Sequence, residues 1–448
     1  MARRRAAGEL FAACGMRSSY RPSFSRSGAS ARAGRRPAIA RSLHVYVHVP
    51  FCARKCPYCH FYNLGHDDGR EAVWLDGLAR EIAVLRGCGA FEGGRLATLY
   101  WGGGTPSLLG PDAFERAAAL VLGIAPRSER LEWTLELNPD DATTDRLGRW
   151  RDRGVTRISV GAQSFDPSRL AFLGRTHGPD AAARAVRAAA EAGFEEISLD
   201  LIFNLEVPGT TPAARRRSWA RDLATAFALP ITHLSLYGLT IEPGTAFDAR
   251  VRSGATLTAP DAAYAAEYRA ACGAARRAGF EHYEVSSFAL PGHRSRHNSA
   301  YWTAAPYQGL GPAAHSFDGL RRWANVSSLT GWAEALATGG DPRAFVELLT
   351  PTQRQLETLY LGLRRCEGVE RGHALLAGRA SEIVEALVRE ELLVEQGARL
   401  ACTTRGFLVL DGILDRLAGE AQGKGVAPRA SWPGMERRDS FDNVLGRR

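Results

Sequence analysis

The chain contains no run of 18 or more apolar residues, so nothing in it reads as a membrane span. It has no acidic residue between Glu9 and Asp67, no internal repeat of diagnostic period, and no compact apolar stretch near its start such as a secretory signal needs. Its eight cysteines lack the pairing rhythm of a disulfide framework: Cys14, Cys88, Cys272, Cys366 and Cys402 are scattered, while three crowd between positions 52 and 59. That usage suits a reducing compartment and a metal site. A nucleic-acid-binding face is also missing, although the formal net charge is +9. Residues 1–43 hold ten arginines against the single acid Glu9, so the remainder of the chain is formally neutral.

What is there begins with that leader. Its Arg, Ser and Ala richness is the composition of an organelle transit peptide, with a basic N-terminus lacking any targeting role as the alternative. The arginine density favours a mitochondrion over a chloroplast. Of the 448 residues, 45% are apolar and 23% charged, enough for one large domain and a smaller one with a substantial core.

From residue 44, short β-like runs (45–49, 96–101, 131–137, 156–161, 195–203, 233–238) alternate with amphipathic segments (71–86, 112–123, 143–153, 180–192, 213–227) whose apolar residues recur at helical spacing. Strand–helix repetition implies right-handed crossovers and a parallel sheet. Six units before residue 260 predict an α/β fold, a partial (β/α)6 TIM-type barrel; an open doubly wound sheet is the alternative. Residues 260–277, 352–365 and 380–393 read as helices, 400–410 as a strand-like stretch, and a final helix follows to about 417. The predicted organisation is a leader at 1–43, a core at 44–280, a His-, Tyr- and Trp-rich segment at 281–345, a small mainly α, winged-helix-like domain at 346–418 and a disordered tail at 419–448.

The chemistry is concentrated in Cys52-Ala-Arg-Lys-Cys56-Pro-Tyr-Cys59, directly after the first predicted strand. Thiolates are the usual ligands of iron–sulfur clusters, and three of them on a [4Fe-4S] cubane leave one iron open. That iron can take the amino and carboxylate groups of S-adenosylmethionine (SAM). A zinc knuckle closed by His60 is the competing reading. After the second strand comes Trp101-Gly-Gly-Gly-Thr105-Pro-Ser107, where glycines let backbone approach a ligand.

The ordered set of Tyr46, the cysteine triplet, Gly103-Gly104-Thr105, Glu136-Leu-Asn-Pro139, Ser159-Val-Gly-Ala-Gln163, Leu173-Gly-Arg175-Thr-His177 and Asp200-Leu-Ile resembles the radical SAM family of oxygen-independent coproporphyrinogen dehydrogenases. The resemblance spans most of residues 44–245 and continues to about 415. It implies a [4Fe-4S] cluster on Cys52, Cys56 and Cys59. It further implies SAM contacts from Tyr46, Gly103, Gly104, Thr105, Glu136, Gln163, Arg175 and Asp200, with Gly238 and His315 near SAM and Tyr58 beside its adenine. Independently of the resemblance, Glu136, Gln163 and Asp200 each end a predicted strand, where barrel sites gather, and Arg175 can pair with a carboxylate.

Two features choose a branch. Phe61 stands where the dehydrogenases carry one more cysteine, which argues against coproporphyrinogen III decarboxylation. His297-Asn-Ser-Ala-Tyr301-Trp302 is similar to the HNxxYW motif of the heme-chaperone (HemW-like) branch. That likeness implies heme binding through His297 as axial ligand with Tyr301 and Trp302 stacking on the macrocycle. The expected partners are heme, heme-accepting respiratory proteins and an electron donor, with a homodimer left open. Decarboxylation of coproporphyrinogen III remains the enzyme alternative, and a scaffold that binds SAM without turnover a third. One departure stands out: after Asp200 the family runs to a glycine where this chain has Asn204, followed by an apparent two-residue insertion.

Overall fold

The computed structural model describes residues 41–422. The expected leader lies outside the described residues except for its last three, which already form the first strand; the expected tail lies outside from residue 423 onward.

Six strands run parallel in the order of the chain: β1 (Arg41–Val49), β2 (Gly94–Gly103), β3 (Arg127–Leu137), β4 (Arg157–Gln163), β5 (Glu196–Phe203) and β6 (His233–Gly238). The connecting helices are α1 (Asp68–Gly87), α2 (Pro111–Leu122), α3 (Thr144–Arg153), α4 (Ala181–Glu191) and α5 (Pro212–Phe227), with α6 (Asp261–Arg277) after β6. Strand order never reverses, so there is no switch point of the doubly wound kind; all crossovers fall on one face, and the predicted partial barrel is the observed one. Local sequence sets the helix starts. Thr143 and Thr211 cap α3 and α5 by accepting the amide hydrogens of Arg146 and Ala214, and Pro212 occupies the first turn of α5, where its missing N–H costs nothing.

Alternation along the strands divides their side chains between two environments. On β2, Leu99 and Trp101 point outward, Trp101 meeting Phe114 of α2 and Trp133 of β3 at ring separations of 5.3 and 5.4 Å. Thr98 and Tyr100, one residue out of phase, point inward with Tyr46 and Glu136. The outer layer is an apolar core; the inner side is a polar lumen.

The segment 281–345 is woven into both edges of the sheet. Strand β8 (Ser287–Ala289) adds antiparallel to β6, and β7 (Glu281–Glu284) adds antiparallel to β8 at that edge. The short helix α7 (Arg296–Trp302) follows, capped by Ser295. Strands β9 (Tyr307–Leu310), β10 (His315–Phe317), β11 (Arg321–Asn325) and β12 (Arg343–Leu348) then extend the other edge, β9 parallel to β1 and the rest antiparallel. Helix α8 (Leu329–Thr338) packs on α1 so tightly that a Cβ at Gly77 would stand 2.3 Å from the Trp332 ring. The twelve strands read β12-β11-β10-β9-β1-β2-β3-β4-β5-β6-β8-β7.

The C-terminal part contains α9 (Pro351–Gly362), β13 (Val369–Glu370), α10 (Arg379–Arg389), β14 (Leu393–Gln396), β15 (Arg399–Cys402) and α11 (Leu410–Gln422). Three short antiparallel strands among helices match the winged-helix expectation. The predicted strand over 400–410 is corrected: it stops at Cys402, and Thr403 caps a short helix over Thr404–Leu408. A threonine ahead of Gly406 satisfies a helical amide that no ladder would.

Candidate functional site

The three cysteines lie just beyond β1, at the C-terminal mouth of the lumen. All three are partly exposed free thiols. The loop is held by its own backbone, the Cys59 amide donating to the Cys56 carbonyl at 3.1 Å, and by neighbours. Thr105 Oγ1 donates to Cys52 Sγ at 3.5 Å, Arg175 Nη1 to Cys56 Sγ at 3.6 Å and Asn63 Nδ2 to Cys59 Sγ at 3.7 Å. Burial raises the Cys52 thiol and pushes Cys59 up to about 11, so deprotonation here calls for a metal's charge.

Glycines build the adjoining wall. The Gly104 and Thr105 amides donate to the carbonyls of Val49 and Phe51 at 2.9 and 2.6 Å, laying the end of β2 on the start of the cysteine loop. A Cβ at Gly104 would lie 2.6 Å from both carbonyl oxygens; one at Gly103, where φ is +100°, would lie 2.3 Å from the His48 ring. Both positions require glycine.

Across the mouth, Glu136 accepts from Tyr100 Oη at 2.6 Å and from the Gly103 amide at 3.3 Å. Burial pushes its carboxyl up to about 7, and the charge of Asp200 adds to this against the two donors. Asp200 is pushed up to about 6, also by burial, although Ser159 hydrogen-bonds both its oxygens at 3.2 and 3.3 Å. Arg175 is fixed by Asn138 Oδ1 and the Gly161 carbonyl, each 2.9 Å from Nη2, while its Nε is buried without a hydrogen-bond partner. Gln163 closes β4 with φ at +65°, a left-handed conformation that is uncommon outside glycine and concentrates at functional sites. Tyr58 leans on the apolar cluster of Leu173, Ile202, Leu239 and Phe247, its ring 6.3 Å from that of Phe247. Tyr46 stacks on Tyr100 at 6.2 Å and its hydroxyl lies 3.0 Å from His48 Nδ1. Gly238 ends β6, where a Cβ would meet the Tyr264 ring at 2.5 Å. The unusual Asn204 is accounted for: its φ is +68°, a left-handed backbone that asparagine tolerates better than most residues. Its amide donates to Glu267 Oε2 at 2.9 Å.

The other end of the lumen is closed by α7. Glu132 of β3 accepts the Arg296 and His297 amides at 2.9 and 2.8 Å, and Arg157 of β4 donates to the His293 carbonyl at 3.0 Å. His297, 1% exposed, lies 2.7 Å from Thr98 Oγ1 through Nδ1 and 2.9 Å from Tyr301 Oη through Nε2. Burial lowers it to about 3. Both ring nitrogens are engaged, so an axial bond from His297 to an iron requires breaking one of these contacts. Tyr301 meets Tyr307 edge-on at 4.6 Å, and Trp302 is half-buried with its Nε1 unpartnered. His315 sits at the open mouth on β10.

The donor set can be tested against both metal readings. Among the described residues, no three His, Cys, Asp or Glu side chains are grouped so as to hold a single ion. His60 stacks on Phe61 at 4.5 Å instead of turning toward the thiols. A tetrahedral zinc needs its ligands gathered on one point, whereas thiolates on a cubane bind separate irons and stand farther apart. Three thiols in one short loop, a backbone cradle and an arginine with an unpartnered Nε therefore fit a cluster plus a carboxylate-bearing ligand. Sequence reasoning missed Tyr100, Asn138, His48 and Thr98. Strand parity could have found three of them, since Thr98 and Tyr100 share alternation with Gly102, as His48 does with Tyr46.

Comparison with known proteins agrees with this geometry. Residues 46–207 match the model of the Radical SAM superfamily. The chain is 34% identical over 389 residues to heme chaperone HemW from Mycobacterium tuberculosis, covering 86% of this chain and 97% of that one. It is also 34% identical to the mouse protein named radical S-adenosyl methionine domain-containing protein 1, mitochondrial, covering 84% and 88%. The structure of coproporphyrinogen III oxidase (HemN) from Escherichia coli superposes with a TM-score of 0.71 at 22% identity over 84% of this chain and 90% of that one, which establishes the shared fold. A chain that aligns with nearly the whole of a curated HemW, and whose matching residues meet at one lumen mouth, belongs to the HemW family of radical SAM proteins.

Proposed function

We propose that this protein is a mitochondrial heme chaperone that binds heme and passes it to heme-accepting respiratory proteins, using a barrel that holds a [4Fe-4S] cluster and SAM. The observation that carries the reading is the joining of two motifs by one lumen: the thiol loop, glycine cradle, Glu136 and Arg175 at its mouth, and the His297–Trp302 helix as its floor. The identity to curated heme chaperones, extending over most of both chains, supports it, as does the mitochondrial name of the mouse relative.

Cys52, Cys56 and Cys59 are the proposed cluster ligands. When bound, the cluster and SAM supply one-electron chemistry at a sulfonium. The chain's own groups position and shield. The Gly103 and Gly104 backbone and Glu136 receive the ammonium end of SAM, Arg175 its carboxylate, Asp200 its ribose hydroxyls and Tyr58 its adenine. Tyr46, Thr105, Gln163, Gly238 and His315 complete the rim, and α7 keeps water from entering below. An electron donor serves the cluster. No helix among the described residues is long and apolar enough to cross a membrane.

Coproporphyrinogen decarboxylation is disfavoured by Phe61, which is 52% exposed beside the loop and offers no thiol. The test is anaerobic reconstitution, hemin titration and transfer to an apo-acceptor. Heme binding followed by transfer is expected. Conversion of coproporphyrinogen III to protoporphyrinogen IX by the same preparation would overturn the chaperone reading.

A further inference from the structure

The inner face of the sheet does not stop at β1. Alternation places His315 and Phe317 of β10 on one side of the added strands. Phe317 meets Tyr307 of β9 at 6.5 Å, and Tyr307 in turn meets Tyr301. His315 and Phe345 lie across β11 from each other, both facing Ala324 in register, with ring centroids 6.1 Å apart and edge-on at 63°. Tyr46 of the lumen pairs in register with Gly309 of β9, and a Cβ at Gly309 would stand 2.1 Å from the His315 carbonyl, which puts this shelf beside the lumen mouth.

The imidazoles that border the lumen differ in what they have left to offer. His297, His48 and His233 each have both ring nitrogens within hydrogen-bond distance of a neighbour: Thr98 and Tyr301, Tyr46 and the Tyr62 carbonyl, Ser198 and Tyr283. His44 has Nδ1 engaged with Thr98. His315 is exposed, and among the described residues neither of its nitrogens has a hydrogen-bond or ionic partner. Beside it Phe345 is 42% exposed, an aromatic ring facing solvent at a sheet edge.

Resting on the heme reading above, we propose that His315 is the iron ligand, and that the macrocycle lies on the shelf edged by Phe345, Phe317 and Tyr307 at the mouth of the lumen, with the His297 helix serving as floor. A free imidazole nitrogen gives its lone pair to the iron, and the flat apolar ring is covered on one side by aromatic edges. A neutral imidazole, the ordinary form of histidine at neutral pH, is the ligating form. An iron tetrapyrrole is the occupant that uses both features; an apolar peptide would use Phe345 and leave the imidazole idle. The position also places heme next to the proposed SAM site, so that occupancy of one can be sensed by the other.

The experiment is hemin titration of the full chain, reconstituted anaerobically, read by UV-visible absorption and EPR. His315→Ala should weaken hemin binding by at least about tenfold, in line with the loss of groups that support a metal site. It should also lose the imidazole-ligated spectrum, regain it on addition of free imidazole, and keep the thermal midpoint of the parent. Phe345→Ala should weaken binding while the ligand spectrum stays. His297→Ala should retain the histidine-ligated spectrum and lose thermal stability. An unchanged spectrum and affinity in His315→Ala, with loss of ligation in His297→Ala, overturns this assignment and leaves the chaperone reading standing. A parent protein that binds no hemin overturns both.

Discussion

Replacing Gly104 by alanine tests the idea that the end of β2 and the cysteine loop are one rigid cradle. The added methyl would meet Phe51 O and Val49 O at 2.6 Å and Phe51 N at 2.8 Å. All three are backbone atoms, so no side chain can rotate away; either β2 or the segment Val49–Cys52 has to move. Overpacking of a filled site costs about 1–3 kcal/mol. The movement is not confined to stability, because the Thr105 amide and hydroxyl hold Phe51 O and Cys52 Sγ. Displacing that corner shifts the first thiol relative to the other two. The expected result is a destabilisation in that range by chemical denaturation, with iron content and SAM binding reduced together. Gly148→Ala is the control: it lies within α3 with nothing within 4 Å of the new methyl, and should stabilise by about 0.5–1 kcal/mol. A Gly104→Ala protein with parental stability, iron content and SAM affinity would refute the rigid-cradle argument.

Further outcomes follow from the same site and its supports. Glu136 has a folded-state value near 7 against 4.5 when unfolded, so its neutral form is the favoured one in the fold. Its stabilising contribution is complete below about pH 4.5 and is lost as pH rises through about 7. Denaturation of the apo-protein across pH 5–8 should show that decline, to which the buried Glu81, Glu284 and Asp200 also contribute, and Glu136→Gln should make it shallower. SAM binding should run the other way, tightening through about pH 7 as the carboxylate forms to meet an ammonium group, with Glu136→Gln again removing the dependence in calorimetric titrations. Asp222 and Arg169 form a buried pair at 3.3 Å, the carboxylate also accepting from Ser164 and the Phe165 amide. Asp222→Ala leaves a buried guanidinium unpaired and should cost about 3–5 kcal/mol, measured by urea denaturation. Tyr100→Phe removes the 2.6 Å bond to Glu136 and should move the SAM-binding pH dependence upward while leaving iron content unchanged.

The parallel core was readable because each βα unit repeats the same local rule: a short apolar run, a turn, then apolar residues at helical spacing. Leu131–Leu137 and Glu195–Phe203 were located to within a few residues in this way, and the observed strands Arg127–Leu137 and Glu196–Phe203 differ from them only at the N-terminal ends. The segment after residue 280 was not readable, since strands of three to six residues carry too little periodicity, and their place at both edges of the sheet is set by partners distant in sequence. The thiol loop was legible because its ligands are neighbours in the chain. The role of His297 was not, because whether an imidazole is free or engaged depends on Thr98, 199 residues away.

Sequence alone determined the thiol triplet, the glycines that must be glycines, the six-unit barrel and the partition of charge between leader and body, all properties of residue type and short-range spacing. Tertiary structure decided which histidine is available. Closure of the lumen by α7 places His297 among hydrogen-bonding neighbours, and extension of the sheet past β1 leaves His315 open at the rim. An imidazole's chemistry follows from what occupies its two nitrogens, and that is settled only when the strands assemble.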